Sequence, residues 1–567
     1  MIKRADFTVL NANDLLKTGL LFSLIFLYAC NGKKPTPERI DPVKELKIEI
    51  KEQLARIEEG ESLDDSTRLL TPGETKKFYG TNRYEGVWAI GDSLTPLSDS
   101  IVYLIRNARK YGLFPATYHL KTLERFHSSW LVDTLGADIR KNFKELARRE
   151  ILLTDAILTI CRHVQYGHVS IDSLTNRESY DPDIYISALK KVLNNISIDT
   201  VLVSLEPVNP GYRKLKAALP AFLARADFSR TYTYVEYPFR DSMSFIQSLI
   251  LRLKEERYLD TITVKLDTAQ LASALKKVQS ARGLKVDGKY GPQLIGSLNN
   301  NDSEKFFKAA INLDRYRMQP DTLSDRYLLV NLPAFELQVI DQDTLVLESR
   351  VIVGKPKTPT PLLNSQMNQL IVFPTWTIPA SIIADEILPA IKRDPGYLAR
   401  KGYNLYDHSG NEVDPYSVNW SKYKKGIPYK IVQGEGLGNA LGIMKFNFPN
   451  EHSVYLHDTN QRSLFQNENR SLSHGCVRVQ NWEGLYQYVL LLDSIKAAEN
   501  TGPFTRVDSI HRWLRGEKKK RVIPLKNQLP IYFRYYTAAG KEGKLEVYND
   551  VYGYDGIYRE RIMRSIR

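Results

Sequence analysis

The periodicity of the chain turns from helical to alternating near residue 326, and that change restricts the fold more than any other feature. Upstream, apolar residues recur at three- and four-residue spacing. They do so in "LSDSIVYLIRNARKYGLFP", which stops at Gly112 with Pro115 beyond, in "RKNFKELARREILLTDAILTICRHVQYG", and in "PGYRKLKAALPAFLARA". That spacing gives each helix one apolar stripe, and such helices bury the stripes against one another. Downstream, "YLLVNLPAFELQVID" alternates, with Phe335, Leu337 and Val339 on one side and Glu336 and Gln338 on the other. Gln342-Asp343 reads as a turn, and "TLVLESRVIVG" returns as the hairpin partner. Apolar segments at 369–379 and 428–433 follow, then a connection with Gly434, Gly436, Gly438 and Gly442, then the strand "SVYLHD". "VQNWEGLYQYVLLLD" is helical, with Asn481 as its cap and Trp482, Leu485, Val489 and Leu492 along one side. The expected class is multidomain α+β: a helical region, then a mostly-β sandwich or barrel with one helix packed late.

A chain of 567 residues has room for three or four domains, and 43% hydrophobic with 10% aromatic residues excludes a disordered polymer. The net charge of +14 favours anionic surroundings. Nucleic acid is not an expected partner, because no zinc-finger spacing, Walker loop or RNA-binding aromatic signature is present. Basic charge is densest at 505–567, with fifteen Lys/Arg against seven Asp/Glu and the run "EKKKR" from Glu517 to Arg521. This reads as a basic C-terminal extension, solvated and lying near anionic lipid or wall polymer.

The segment from Gly19 to Ala29 is apolar and follows Lys17. Eleven residues are too few to span a bilayer but suit a signal-peptide core. The segment ends in Leu27-Tyr28-Ala29-Cys30, which resembles a bacterial lipobox. The resemblance implies a lipid on Cys30 and an exported, periplasmic protein anchored to the envelope membrane. A short uncleaved anchor and an ordinary signal peptide are the alternatives. "NGKKPTPERIDP" then reads as a tether. Expected domains are a signal peptide with lipobox at 1–30, tether and short helix at 31–74, and a helical scaffold at 75–235. A helix–turn–helix module at 236–312, a mostly-β domain at 326–495 with a less regular insertion near 394–427, and the 505–567 extension complete the chain. Within the module, "VQSARGLKVDGKYGPQLIGSLN", punctuated by Gly283, Gly288 and Gly291, resembles a three-helix peptidoglycan-binding domain; a packing module without glycan affinity is the alternative.

Of the remaining cysteines, Cys161 lies in an apolar helical pattern and reads as core. Cys476 stands in "SHGCVRV", Ser473 to Val479, downstream of "YLHDTN". If "SVYLHD" is a strand, Ser453, Tyr455 and His457 share a face; an extended "CVRV" puts Cys476 and Arg478 on one face with Val477 and Val479 opposite. A thiol with an ordinary pKa of about 8.5 needs a base or a cation to become a nucleophile. His457 comes from a separate strand and can approach freely. His474, two residues from the thiol, either shares its face or is turned aside by Gly475. Asp458 offers a carboxylate or a carbonyl to fix the tautomer of His457, and sequence leaves both open. The N–H groups of His474, Gly475 and Cys476 could form an oxyanion hole. A zinc site from His457, His474 and Cys476 competes, without paired C-x2-C or H-x3-H spacing, and so does a lone thiol beside incidental histidines. Neither a metal nor a cofactor is expected.

The arrangement of His457-Asp458, fifteen positions counted from that Asp, then "SHGCVRV", resembles the L,D-transpeptidase catalytic motif, with Arg478 as its Arg form. "VNLPAFELQVI", "RVIVGKPKTPTP", "PTWTIPASI", "GNALGIMKFNFPN" and "VYLHDTNQRSLF" extend the resemblance to the large Gram-negative members, over roughly 75–495. It implies Cys476 as nucleophile, His457 as general base, Asp458 orienting His457 through its carbonyl, and His474 and Gly475 shaping the oxyanion hole. Ser473, Arg478, Tyr455 and Trp376 would meet substrate. Tyr455 and Trp376 could equally be core aromatics, and Arg478 could lower the thiol pKa, hold a stem carboxylate or form a structural ion pair. The implied substrates are peptidoglycan tetrapeptide stems. They would acylate the thiol with loss of D-Ala and pass to the side-chain amine of a second stem as a 3→3 cross-link, under a lid at 394–427 or 459–472. A peptidoglycan-trimming cysteine peptidase and an inactive wall-binding lipoprotein are the competing functions.

Overall fold

The computed structural model describes residues 41–58, 63, 67–130, 139–168, 181–260, 267–319, 323–500, 505–516 and 518–566. The apolar leader and Cys30 lie outside the described residues. Among those described, no helix is long and apolar enough to cross a membrane.

The helical region is organised around α1 (Ile139–Tyr166). Its apolar residues Ile151, Leu152, Ala156, Ile157, Ile160 and Val164 are buried with Ile50, Phe78, Tyr79, Ile101 and Leu189 from surrounding helices in one core. Cys161 is fully enclosed there, and burial pushes its thiol up to about 12. It is filler.

Three helices follow, α2 (Ser242–Glu255), α3 (Thr268–Ala281) and α4 (Pro292–Leu298). Asp267 and Gln270 close a reciprocal capping box at the start of α3. Phe245, Leu249, Leu253, Leu275, Val278, Leu294 and Leu298 form a separate small core. The expected boundary at 312 falls inside the next helix, α5 (Asp302–Arg317). Its residues pack elsewhere: Phe306 and Leu313 with Tyr212 and Leu219 of the helical region, and Phe307 and Ile311 with Tyr558 and Ile562 near 560. A helix buried on nearly all sides belongs to the junction between domains.

The strands are β1 (Arg326–Asn331), β2 (Glu336–Asp341), β3 (Thr344–Gly354), β4 (Leu363–Val372), β5 (Trp376–Thr377), β6 (Tyr403–Tyr406) and β7 (Lys430–Gln433). They continue with β8 (Met444–Asn447), β9 (Leu456–His457), β10 (Ser471–Ser473), β11 (Val477–Val479) and β12 (Arg521–Arg534). The β2–β3 turn has positive φ at both Gln342 and Asp343, the two-residue geometry that matches strand twist. Hydrogen bonding runs β3-β11-β9-β8-β4-β12-β1-β2, and β2 pairs back to β3, so eight strands close into a barrel. Leu328, Val330, Leu337, Val339, Val351, Leu370, Phe446, Leu456, Val477 and Val479 share a core with Leu485 and Val489 of α6 (Trp482–Asn500).

Two sequence expectations are corrected here. Residues 505–567 are not a solvated extension. β12 sits between β4 and β1, and its Ile523, Leu529, Ile531 and Phe533 are in the barrel core. The insertion is also larger and more regular than 394–427. β5, β7 and β6 form their own three-stranded sheet. With the intervening short helices they enclose Ile378, Ile383, Ile387, Leu388, Ile391, Leu398, Leu405, Trp420 and Ile431. A subdomain spanning 376–433 therefore stands out from the barrel.

Candidate active site

β9 and β11 are parallel neighbours, with Leu456 opposite Val477 and His457 opposite Arg478. The Val477 N–H donates to the Tyr455 carbonyl at 3.1 Å, which extends the register by one step. Leu456, Val477 and Val479 point into the barrel core, so Tyr455, His457, Cys476 and Arg478 occupy the other face together. β8 continues this face on the far side of β9, because Lys445 is opposite His457 while Met444 and Phe446 are buried in the core.

The orientation of His457 is fixed by backbone. Its Nδ1 bonds the Asp458 carbonyl at 2.5 Å, which leaves Nε2 unprotonated in the neutral ring. The Asp458 carboxylate is engaged elsewhere: Oδ1 accepts from Arg462 Nη1 at 2.7 Å and Oδ2 from the Ile443 N–H at 3.2 Å. Of the two tautomer anchors the sequence offered, the carbonyl is the one in place. Gly442 makes room for that carboxylate; it has φ +64, and a Cβ there would lie 2.2 Å from Asp458 Oδ2. Burial, then the Arg478 charge, pushes the His457 imidazole down to about 3, so the ring is neutral.

Cys476 is half-buried. Burial raises its thiol; Tyr455, Lys445 and Arg478 act in the opposite direction without reversing it. The Tyr455 phenol lies near the thiol and near the Trp376 indole of β5, which brings the subdomain close to the site. Burial and the neighbouring sulfur hold that phenol well above its usual range. Tyr455 is thus beside the thiol, with Trp376 next to Tyr455.

Gly475 has φ +124, a conformation that favours glycine, and it turns His474 away from Cys476. His474 Nε2 instead meets Glu386 Oε1 at 2.7 Å. Glu386 lies on a π-helical turn, Ile383–Ile387, of the subdomain. The expectation that three successive N–H groups face the substrate is corrected. The Gly475 N–H donates to Ser473 Oγ at 3.1 Å, and Ser473 Oγ donates to the Cys476 carbonyl at 2.6 Å. Ser473 is buried and braces the loop rather than facing the thiol cleft. The Gly475 carbonyl accepts from Thr360 Oγ1 at 2.7 Å. That leaves the N–H groups of His474 and Cys476 as the candidate donors.

Arg478 Nη1 donates to Gln461 Oε1 at 2.9 Å, and among the described residues no carboxylate pairs with it. Its structural ion-pair reading therefore falls away. The segment 459–472 is pinned by the Arg462–Asp458 pair, by Arg462 Nη2 on the Gln480 carbonyl at 2.8 Å and by buried Phe465, so it does not have the attachments of a lid. Lys445 and Glu386 were missed from sequence. "IMKFNF" alternates and marks Lys445 as a strand residue on a polar face, but only the register brings it opposite His457. Nothing local marks Glu386.

Residues 325–508 match the family model described as the L,D-transpeptidase catalytic domain of the YkuD type. Residues 73–219 match a scaffold-domain model. The chain is 37% identical over 248 residues to a curated Haemophilus influenzae protein provisionally named an L,D-transpeptidase. The alignment covers 44% of this chain and 48% of that protein, so the chain spans about half the length of the curated relative it matches. An L,D-transpeptidase from Mycobacterium smegmatis shares 12% identity over 37% of this chain and 58% of its own, with a TM-score of 0.18. An Enterococcus faecium L,D-transpeptidase shares 12% identity over 49% and 86%, with a TM-score of 0.14.

Proposed function

We propose that this protein is an exported L,D-transpeptidase that joins peptidoglycan stem peptides by 3→3 cross-links through a thioester on Cys476. The observation that carries the reading is the parallel β9–β11 pairing. It sets the Cys476 thiol and a neutral, carbonyl-oriented His457 on one face of the sheet, away from the barrel core, in a domain matching the L,D-transpeptidase model. His457 Nε2 takes the thiol proton as the sulfur attacks the carbonyl that precedes the terminal D-Ala. The oxyanion is received by the N–H groups of His474 and Cys476. As the tetrahedral species collapses, the imidazolium returns the proton to the departing D-Ala amine and the C–N bond breaks, leaving a thioester. The side-chain amine of a second stem then attacks, His457 takes its proton, and the sulfur leaves and is reprotonated. The phenol of Tyr455 supports negative charge on sulfur. The subdomain, held over the site by Glu386 and Trp376, limits water, which favours an amine acceptor over hydrolysis.

Lipidation of Cys30, a periplasmic location on the envelope membrane, and glycan affinity of the α2–α4 cluster belong to the same proposal. The apolar leader ending in Cys30 and the basic charge of the chain support them. Sacculi are incubated with the protein and with Cys476→Ala, and muropeptides are separated. The reading expects 3→3 dimers only from the parent, with equal thermal stability of the two proteins. Dimers formed by Cys476→Ala would end it. Tripeptides and free D-Ala without dimers would make the protein a trimming peptidase.

A further inference from the structure

Resting on the transpeptidase reading, we propose that Lys445 is the residue that reads the free α-carboxylate at the end of the donor stem, with Arg478 as the second cation. Lys445 is on β8, and its alternation with buried Met444 and Phe446 puts it on the thiol face. It is opposite His457 in the β8–β9 ladder, and Arg478 is opposite His457 on the other side. Lys445 Nζ lies 3.7 Å from the centre of the Tyr455 ring, whose phenol lies near the Cys476 thiol. One aromatic ring therefore separates an ammonium group from the sulfur.

The charges on this face are unbalanced. Lys520 Nζ, 3.3 Å from Thr375 Oγ1, adds a third cation close enough to repel Lys445. Among the described residues, no carboxylate pairs with Lys445, Arg478 or Lys520. The two acids nearest the machinery are committed: Glu386 to His474, and Asp458 to Arg462. Arg478 Nε is buried without an acceptor. Burial holds both Lys445 and Arg478 below their usual pKa ranges, as expected of cations whose counter-charge is not built into the protein. A half-buried cation pair with an orphaned donor calls for an anion from the ligand.

The reaction supplies one. The departing amino acid carries a carboxylate three bonds from the carbonyl carbon that the sulfur attacks. A donor with one residue after the scissile bond delivers that carboxylate to the cations beside the thiol. A C-terminal amide removes the charge, and an added residue carries it further away. Lys445 thereby acts on donor choice, beyond its charge effect on the thiol.

The full-length protein, Lys445→Gln and Lys445→Arg are compared on two synthetic tetrapeptide donors, one ending in D-Ala carboxylate and one in the D-Ala carboxamide. Acylation of Cys476 is read by intact mass, and kcat/KM by release of the terminal residue. The parent is expected to prefer the carboxylate donor by roughly tenfold to a hundredfold, the worth of one charge-assisted hydrogen bond. Lys445→Gln brings the ratio of the carboxylate to the carboxamide rate to about one, whatever it does to both rates through the thiol, while Lys445→Arg keeps part of the preference. Iodoacetamide alkylation of Cys476 should keep its pH profile in Lys445→Arg and move to higher pH in Lys445→Gln, since the Lys445 charge opposes the rise that burial imposes on the thiol. Equal slowing of both donors, with the carboxylate preference intact, would confine the action of Lys445 to the sulfur and overturn the proposal. So would a parent that accepts both donors equally. A parent that is alkylated normally but acylated by neither donor would instead overturn the transpeptidase reading, and this inference with it.

Discussion

Replacing Phe533 by Ala separates a barrel strand from a solvated extension. Phe533 is 0% exposed, pairs with Val330 on one side and Leu363 on the other, and its ring centre is 5.6 Å from that of Phe448. An aromatic side chain buries roughly 150–250 Å². At about 25 cal/mol per Å² this is about 4–6 kcal/mol, an upper figure because unfolded chains already bury part of that surface. Measured Phe→Ala changes in cores cost about 3–5 kcal/mol. We therefore expect about 3–5 kcal/mol, or roughly two to three and a half decades in the opening equilibrium. Hydrogen exchange read by mass spectrometry on peptides covering 326–331 and 363–372 reports that opening directly, since both strands are held by β12. Val522→Ala is the control in the same strand; Val522 is 50% exposed and should change protection by less than about one decade. Equal exchange in the two variants would refute the placement of β12 inside the sheet.

Two further outcomes follow from the electrostatics of the site. Burial raises the thiol and keeps His457 neutral, so the resting pair is uncharged; iodoacetamide alkylation of Cys476 should rise about tenfold per pH unit between pH 6 and 8, and a plateau near neutrality would reveal a preformed thiolate. Asp458→Asn should keep acyl transfer within about tenfold of the parent, because the Asp458 carbonyl holds His457, whereas an imidazole oriented by a carboxylate loses on the order of 10⁴ on such a swap.

Much of the β domain was legible because period-two alternation survives wherever one face is buried. The β1–β2–β3 meander and the shared face of His457 and Cys476 both rest on it. β12 was hidden by charge and by proline. "RVIPLKNQLPIYFR" begins at the end of the densest basic run, and Pro524 and Pro530 argue against an interior strand. In the fold the register slips between Pro524 and Leu529, and the pairing with β1 begins only at Ile531, past both prolines. The subdomain escaped notice because its strands are two to four residues long and pair across dozens of residues. At the site, motif spacing gives residue types but not which donors are already spent. The Ser473 bond to the Gly475 N–H and the turning of His474 onto Glu386 depend on tertiary contacts. Lys445 is the same kind of case, being 12 residues from His457 in sequence and facing it across one ladder.

The position of β12 also sets a timetable. It wedges between strands that precede it by about 200 and 170 residues, so the ring stays open until residue 534 has been made and has found its slot. While the gap persists, β1 and β4 offer bare edges to any passing chain, a hazard that favours rapid docking or an escort. A nascent polypeptide halted before residue 521 would thus carry the complete His–Cys motif on an unfinished stave and remain chemically dormant.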